Sequence, residues 1–385
     1  MSTNLSMKKN KLNLLFIIRL LDYGGAERQL IELVKGLDKT RFFITVVTFY
    51  DGGNLRPQLE EVEGIKVISL SKKGRWDIGP FAWRLWKVTR QVKPDIIHGY
   101  MDLPNLVSLV LAKLVGAKAV WGIRASRVEL ANYDPLQNLI FRLGAFLSRF
   151  VDLIITNSYA GKSDHIMQGY CGKRMVVIPN GINTGKFYPQ PEVKAELYAE
   201  WKIGRNKKLI GYVGRLDPQK DYPTFLRSAA ALLKQREDVS FVCTGTGAEN
   251  YSRVLKALAS ELGLDNHLTW ASGRSDMPAV YNSLDILTLS SCYGEGFPNV
   301  VGEAMACGVP AVVTDNGDSA LIVRDEARII KIGDSKALVE AWLRLLDLEP
   351  AERQALAGIL RERIIQNFSV SHLITHTTKA LESIL

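Results

Sequence analysis

A chain of 385 residues is longer than one ordinary hydrophobic core supports, and two domains of roughly 190 residues match the usual domain size. Hydrophobic residues at 47% and charged residues at 23% rule against disorder, and four scattered cysteines without a CxxC pair (Cys171, Cys243, Cys292, Cys307) indicate neither a disulfide framework nor a zinc site. The net charge of +9 belongs to the first half: residues 1–186 hold 27 Lys/Arg against 15 Asp/Glu, and residues 187–385 hold 22 against 25.

The opening "MSTNLSMKKNKLNLLFIIRLLDYGG" imitates a signal peptide, but its apolar run breaks at Arg19 with no small-residue cleavage site before Tyr23-Gly24-Gly25. A first buried strand is the better reading. "GGAERQLIELVKGL" then reads as helix and "FFITVVTFY" as strand, followed by the strands "KVISL", "DIIHGY", "AVWGIR", "LIITNS" and "MVVIPNG" with helical segments between them. Segment 72–94 combines three tryptophans with seven Lys/Arg. On a helix Phe81, Leu85, Val88 and Val92 share one face, which either packs on the first sheet or docks at a membrane interface. Segment 103–121 is the most apolar, yet Lys113 and Lys118 interrupt it, so no stretch reaches the 18 or more apolar residues of a spanning helix. Gly, Asn and Pro cluster in "PNGINTGKFYPQPEV", where the charge balance changes sign, and this is the expected joint. Beyond it the rhythm restarts: strand "KLIGYVGRL", helix "DYPTFLRSAAALLKQ" with Asp221 as cap and Pro223 in its first turn, then strands "VSFVCTGTG", "LTWASG", "DILTLSS" and "PAVVTD". The alternation predicts two α/β, Rossmann-like, doubly wound parallel sheets in tandem, over 1–186 and 187–366, with a helix at 367–385 returning toward the first.

In such sheets ligands bind beyond the carboxyl ends of the strands. Gly24 and Gly25 follow the first strand and open a helix, a geometry that suits either a phosphate or a simple turn. Arg215 ends a strand and Lys220 lies five residues on; two cations there suit a diphosphate, or are merely exposed. In "GEGFPNVVGEAMACGVP", Pro298 fits the first turn of a helix. Glu295 then lies in the loop before it and Glu303 about 7 Å along its axis, from five residues of about 1.5 Å rise. The two carboxylates suit the two ends of an elongated hydroxylated ligand, with amides of Phe297, Asn299 and Val300 between them for phosphate oxygens. His98, at a strand end, is either satisfied structure or part of the chemistry.

"GRLDPQKDYPTFLRSA" followed by "GEGFPNVVGEAMACGVPAVVTD" resembles the family 4 retaining glycosyltransferases of GT-B fold, in which two Rossmann-like domains face a central cleft. "GGAERQL", "PDIIHGY", "ITNS", "IPNGIN" and "GRSDMPAVYNSLDILTLSS" extend the resemblance over almost the whole chain. It implies that Arg215 and Lys220 bind the diphosphate of a nucleotide sugar, with a UDP-sugar the expected donor. Glu295 would contact sugar hydroxyls and Glu303 the ribose. Backbone at Gly296, Phe297, Asn299 and Val300 would meet sugar and phosphate, Gly24 and Gly25 would close over the donor, and Arg274 and Met277 would flank the base. Two positions depart from the family pattern. Leu321 stands where many relatives carry glutamate, and Arg124 where some carry histidine. Arginine cannot accept a proton, so Arg124 is expected to act electrostatically.

The implied reaction moves a sugar to a hydroxyl of a saccharide or lipid-linked saccharide, as in cell-surface polysaccharide assembly. No cofactor or metal is expected, since the chain contains no Asp-x-Asp and the protein's own cations would serve the diphosphate. The acceptor is expected on the basic first half, with the protein cytoplasmic or peripheral on an anionic membrane. A nucleic-acid partner is disfavoured because the basic residues form no recognisable module. An epimerase of the same fold, or a non-catalytic nucleotide-sugar binder, are the alternatives.

Overall fold

The computed structural model describes residues 11–74, 76–124 and 135–385. The chain divides into two compact units: the first runs to Gly181 and takes back Val370–Leu385, and the second is Ile182–Ser369. The change at 181/182 lies inside the Gly/Asn/Pro-rich stretch, a few residues before the joint drawn from the sequence.

The first unit contains β1 (Leu12–Ile18), α1 (Gly25–Gly36), β2 (Phe42–Thr48), α2 (Pro57–Glu60), β3 (Ile65–Ser69), α3 (Gly79–Val92) and β4 (Ile96–Tyr100). It continues with α4 (Asp102–Val115), β5 (Lys118–Ile123), α5 (Pro135–Leu147), β6 (Leu153–Thr156), α6 (Tyr159–Met167) and β7 (Met175–Val177). Its seven strands are all parallel, in the order β3-β2-β1-β4-β5-β6-β7. A parallel sheet is covered on both faces, so its central strands are apolar throughout. β1 shows this directly: Leu14, Phe16 and Ile18 enter one core and Leu15 and Ile17 the other.

Phe81 and Leu85 of α3 are buried in the second of these cores, with Val88 and Val92 partly buried beside them and Phe81 edge-on to Phe49 at 4.8 Å. The apolar stripe of 72–94 therefore packs on the sheet. Trp83, 62% exposed, and Trp86 lie outside that stripe.

The second unit contains α7 (Lys194–Glu200), β8 (Lys208–Val213), α8 (Tyr222–Leu233), β9 (Val239–Thr244), α9 (Glu249–Glu261), β10 (Leu268–Ala271), α10 (Met277–Ser283) and β11 (Ile286–Leu289). It continues with α11 (Asn299–Ala306), β12 (Ala311–Thr314), α12 (Ser319–Val323), β13 (Ile329–Ile330), α13 (Ser335–Leu346) and α14 (Pro350–Phe368). Its six strands are parallel in the order β10-β9-β8-β11-β12-β13. The β13 strand, two residues long, is the one the sequence reading passed over. Asp221 caps α8 as expected, accepting from the Thr224 amide at 3.3 Å and the Thr224 hydroxyl at 2.6 Å.

The last helix, α15 (Val370–Glu382), lies in the first unit against α1 and buries Leu373 and Leu381 in that core. Gly36 leaves the room that Ile374 occupies, since a Cβ there would fall 2.0 Å from its Cδ1. Gln29 fixes the exit from this unit. Its side-chain amide donates to the Gly181 carbonyl at 2.9 Å and its carbonyl accepts from the Gly181 amide at 2.7 Å. Among the described residues no helix is long and apolar enough to cross a membrane.

Candidate functional site

In the second unit the strand order reverses between β8 and β11, the point where open parallel sheets bind ligands. The loop leaving β8 carries Arg215 and Lys220, and the loop leaving β11 carries Glu295. Two backbone bonds tie the first loop to the exit of β9, Gly214 N–H to Thr244 at 3.0 Å and Leu216 N–H to Thr246 at 2.9 Å. The Lys220 carbonyl accepts from the Tyr212 hydroxyl and from Ser290 Oγ at 3.2 Å, which fixes the lysine's backbone.

The Lys220 ammonium donates to Glu295 Oε1, and Ser291 Oγ donates to the same oxygen at 2.7 Å. Both charged side chains are largely enclosed, 14% and 9% exposed. Burying an ion pair is costly unless its geometry is good and its remaining hydrogen bonds are met, so the pair marks a place where polarity is retained against stability. Arg215 contrasts with it. Its side chain is 72% exposed, with Asp217 4.0 Å away.

Gly296 and Phe297 lead into α11, which begins at Asn299 and Val300 behind an extended Pro298. Phe297 is buried against Phe368, ring centroids 5.3 Å apart. Glu303, in the same helix, is buried, and its Oε2 accepts from the Tyr281 hydroxyl at 2.6 Å. Burial, with the Glu303 charge beside it, pushes the Cys307 thiol up to about 12. We expect Tyr281→Phe to cost about 1–3 kcal/mol, the range for a lost bond to a buried polar group, measured by urea unfolding.

Arg274 is engaged more fully than the sequence suggested. Its Nε and Nη2 donate to Asp276 at 2.8 and 2.7 Å, and Nη1 donates to Glu200 of α7. Hydrogen bonds to these two carboxylates raise its pKa further above the ordinary arginine value. Its guanidinium is thus held by the protein's own acids, and Met277 beside it is buried at the start of α10.

The remaining candidates lie in the first unit. Gly24 caps α1 with extended backbone and Gly25 is the helix's first residue. Arg124, just after β5, donates to the Tyr100 hydroxyl at 2.9 Å and to Asn180 Oδ1 at 3.4 Å, with its guanidinium 4.8 Å from the Tyr100 ring centre. His98 is the most deeply buried of these candidates. It is fully buried within β4, its ring 5.2 Å from Phe16 and 4.8 Å from Tyr100. Burial first, and Arg124 second, hold its pKa well below the usual histidine range. Both ring nitrogens are buried without a hydrogen-bond partner among the described residues, so the neutral imidazole is held here by ring packing alone.

Sequence reasoning missed Tyr281, Tyr100 and Asn180, which orient the charged groups from distant positions, and Ser291, which does so from four positions before Glu295. It also missed Glu27, which reads as an ordinary acid in a helix's first turn. Burial, and then the nearby Asp22 charge, raise the Glu27 pKa. A carboxyl whose pKa is raised by folding binds more protons folded than unfolded, so stability falls as pH rises from the ordinary glutamate range through the raised value. Glu27→Gln should therefore be the more stable form at neutral pH, and its advantage should vanish at acid pH in thermal melts.

The description "Glycosyltransferase Family 4" matches residues 23–186, and "Glycosyl transferases group 1" matches residues 193–367. The chain is 30% identical over 247 residues to the lipopolysaccharide core biosynthesis mannosyltransferase LpsB of Rhizobium meliloti, covering 62% of this chain and 68% of that one. It is 24% identical over 295 residues, 74% of each chain, to the UDP-Gal:alpha-D-GlcNAc-diphosphoundecaprenol alpha-1,3-galactosyltransferase of Escherichia coli. Among solved structures, Anabaena HepE in complex with UDP aligns over 97% of this chain and all of its own, with a TM-score of 0.84 and 21% identity.

Proposed function

Because the chain belongs to the family 4 glycosyltransferases, whose GT-B fold its two parallel-sheet units follow, we propose that it is a retaining, metal-independent hexosyltransferase using a UDP-sugar. The acceptor is a hydroxyl of a saccharide or lipid-linked saccharide, in the assembly of a cell-surface polysaccharide at the cytoplasmic face of the membrane. The observation that carries this reading is the meeting of Lys220 and Glu295, 75 positions apart, at the switch point between β8 and β11. The named substrate of the Escherichia coli relative supports the lipid-linked acceptor, and the UDP complex of HepE supports the nucleotide.

In this reading the anomeric C–O bond to the β-phosphate breaks as the acceptor oxygen bonds to the same face of the sugar. The departing phosphate takes the acceptor proton. Negative charge grows on that phosphate in the transition state, and preorganised donors aimed at growing charge usually supply the largest catalytic contribution. Arg215, already exposed, and Lys220 meet the diphosphate, together with the first turn of α11. Lys220 then exchanges a Glu295 oxygen for phosphate, leaving Glu295 to accept from sugar hydroxyls. Glu303, held by Tyr281, accepts from the ribose.

The test is incubation with a panel of nucleotide sugars and polyprenyl-diphosphate-linked saccharides, with and without EDTA. Transfer from one UDP-sugar, unchanged by EDTA and giving the donor's anomeric configuration by NMR, is expected. An inverted product, a chelator-sensitive rate or epimerised free donor would each contradict the proposal.

A further inference from the structure

The outward surfaces of α3, α4 and α5 form an unusual face. The three helices are neighbours in one layer, α3 against α4 and α4 against α5. The buried stripe of α5 is Phe141, Gly144 and Ala145, which packs inward. On its other side Leu136, Leu139, Leu143 and Phe146 are exposed, and Phe150 continues the line just beyond the helix. Val110 and Leu114 of α4 are exposed at i, i+4 spacing, and Trp83 and Trp86 are exposed on α3. Isolated exposed apolar residues are ordinary, but this many on three neighbouring helices mark an interaction surface.

Charge selects the partner. Within their bounds the three helices carry five cations (Arg84, Lys87, Arg90, Lys113, Arg142) and one acid, Asp102, at the start of α4; Arg84 is already paired with Asp77, just before α3. The cations also sit on the aromatics. The Arg149 guanidinium lies 4.7 Å from the Phe146 ring centre, and Phe146 is 6.0 Å from Phe150. The Lys87 ammonium lies 5.3 Å from the Trp83 ring, and the Arg90 guanidinium 5.6 Å from that of Trp86. Apolar and aromatic side chains that enter the headgroup boundary, flanked by long cationic side chains that reach phosphates, are the composition of a surface that lies in a membrane interface.

The alternating spacing of 136, 139, 143 and 146 would also suit a helix of a second copy. Two copies of this face would, however, set arginines and lysines against one another with almost no carboxylate to pair them.

We infer that the α3–α4–α5 face of the first unit docks on an anionic lipid leaflet, with α5 as its apolar keel. A lipid-linked acceptor would then be met at its own surface. That purpose rests on the proposed function, whereas the docking itself does not.

The test uses the full chain with vesicles of equal phosphatidylglycerol and phosphatidylcholine, against pure phosphatidylcholine, in the absence of donor and acceptor. Wild type should co-sediment with the anionic vesicles only. Leu143→Glu/Phe146→Glu should bind at least about tenfold more weakly, and Arg142→Gln and Arg149→Gln about fivefold each. All four substituted positions are exposed, so melting temperatures and UDP binding should stay at wild-type values. Equal binding to both vesicle types, or variants that bind as wild type does, would overturn the inference. So would a wild-type dimer that Leu143→Glu/Phe146→Glu converts to monomer, since the face would then join two copies. Loss of UDP binding with vesicle binding intact would count against the proposed function alone.

Discussion

Lys220→Met is expected to lower kcat by about 10²–10³-fold, the effect of removing one preorganised donor to a growing oxyanion. The same change should destabilise the fold by about 3 kcal/mol, the low end for breaking a buried ion pair. Both effects have one structural source. Lys220 is fixed through its carbonyl by Tyr212 and Ser290, and its ammonium is directed at a Glu295 oxygen that Ser291 also holds. Removing the cation leaves an enclosed carboxylate without its counter-charge. Glu295→Gln should cost a similar amount from the other side. The double variant Lys220→Met/Glu295→Gln should recover most of the stability, because a buried pair replaced by neutral groups is often no worse than the pair itself. Its activity should stay lost. Urea unfolding and steady-state transfer on the four proteins separate the two quantities. If the double variant regained transfer, the pair would be structural only.

Gly317→Ala should be nearly as damaging, through backbone alone. Gly317 has φ +63°, and a Cβ there would lie 2.3 Å from the Glu295 carbonyl oxygen and 2.8 Å from that of Gly296. These are backbone atoms of the site loop, and the loop leaving β12 grips them at several points. Thr314 Oγ1 donates to the Ser291 carbonyl at 2.6 Å, Asn316 Nδ2 to the same carbonyl at 3.2 Å, and the Asp318 amide to Gly296 at 2.9 Å. An added methyl must strain the left-handed residue and push Glu295 out of register, at about 2–5 kcal/mol in total. Gly333→Ala is the control. Its φ is +77°, but no atom lies within 4 Å of the added carbon. It should cost only about 1–2 kcal/mol and leave activity intact. Equal effects in the two variants would mean that the close approach at Gly317 is not what positions the loop.

The strands were legible because each is a short β-branched or apolar run, and the central ones are buried on both faces, the pattern a parallel sheet imposes. β13 was not, because Ile329–Ile330 is too short to form a pattern. Proline and aspartate punctuation placed α8 and α11 correctly, since a cap or a first-turn proline acts within a few residues. What the sequence did not disclose were non-local partners. Spacing put Glu295 and Glu303 on either side of a helix start, but nothing in it pointed to Tyr281, 22 positions from Glu303, as the group that holds it, and even Ser291, only four positions from Glu295, carries no pattern that marks it. Arg274 read as a ligand contact, and only the folded chain brings Glu200 from α7 to its guanidinium. His98 sits near a strand end in the sequence, yet every residue of β4 is buried, so position along the strand said nothing about access.

The central claim is that the β8/β11 switch point holds a nucleoside diphosphate through Lys220. Calorimetric titration of UDP into wild type, Lys220→Met and the remote control Lys234→Met tests it most directly. The account predicts saturable binding to wild type and to the control, weakened at least about tenfold in Lys220→Met, as loss of a charge-assisted phosphate contact requires. UDP that binds Lys220→Met as tightly as wild type, or that binds none of the three, would contradict it.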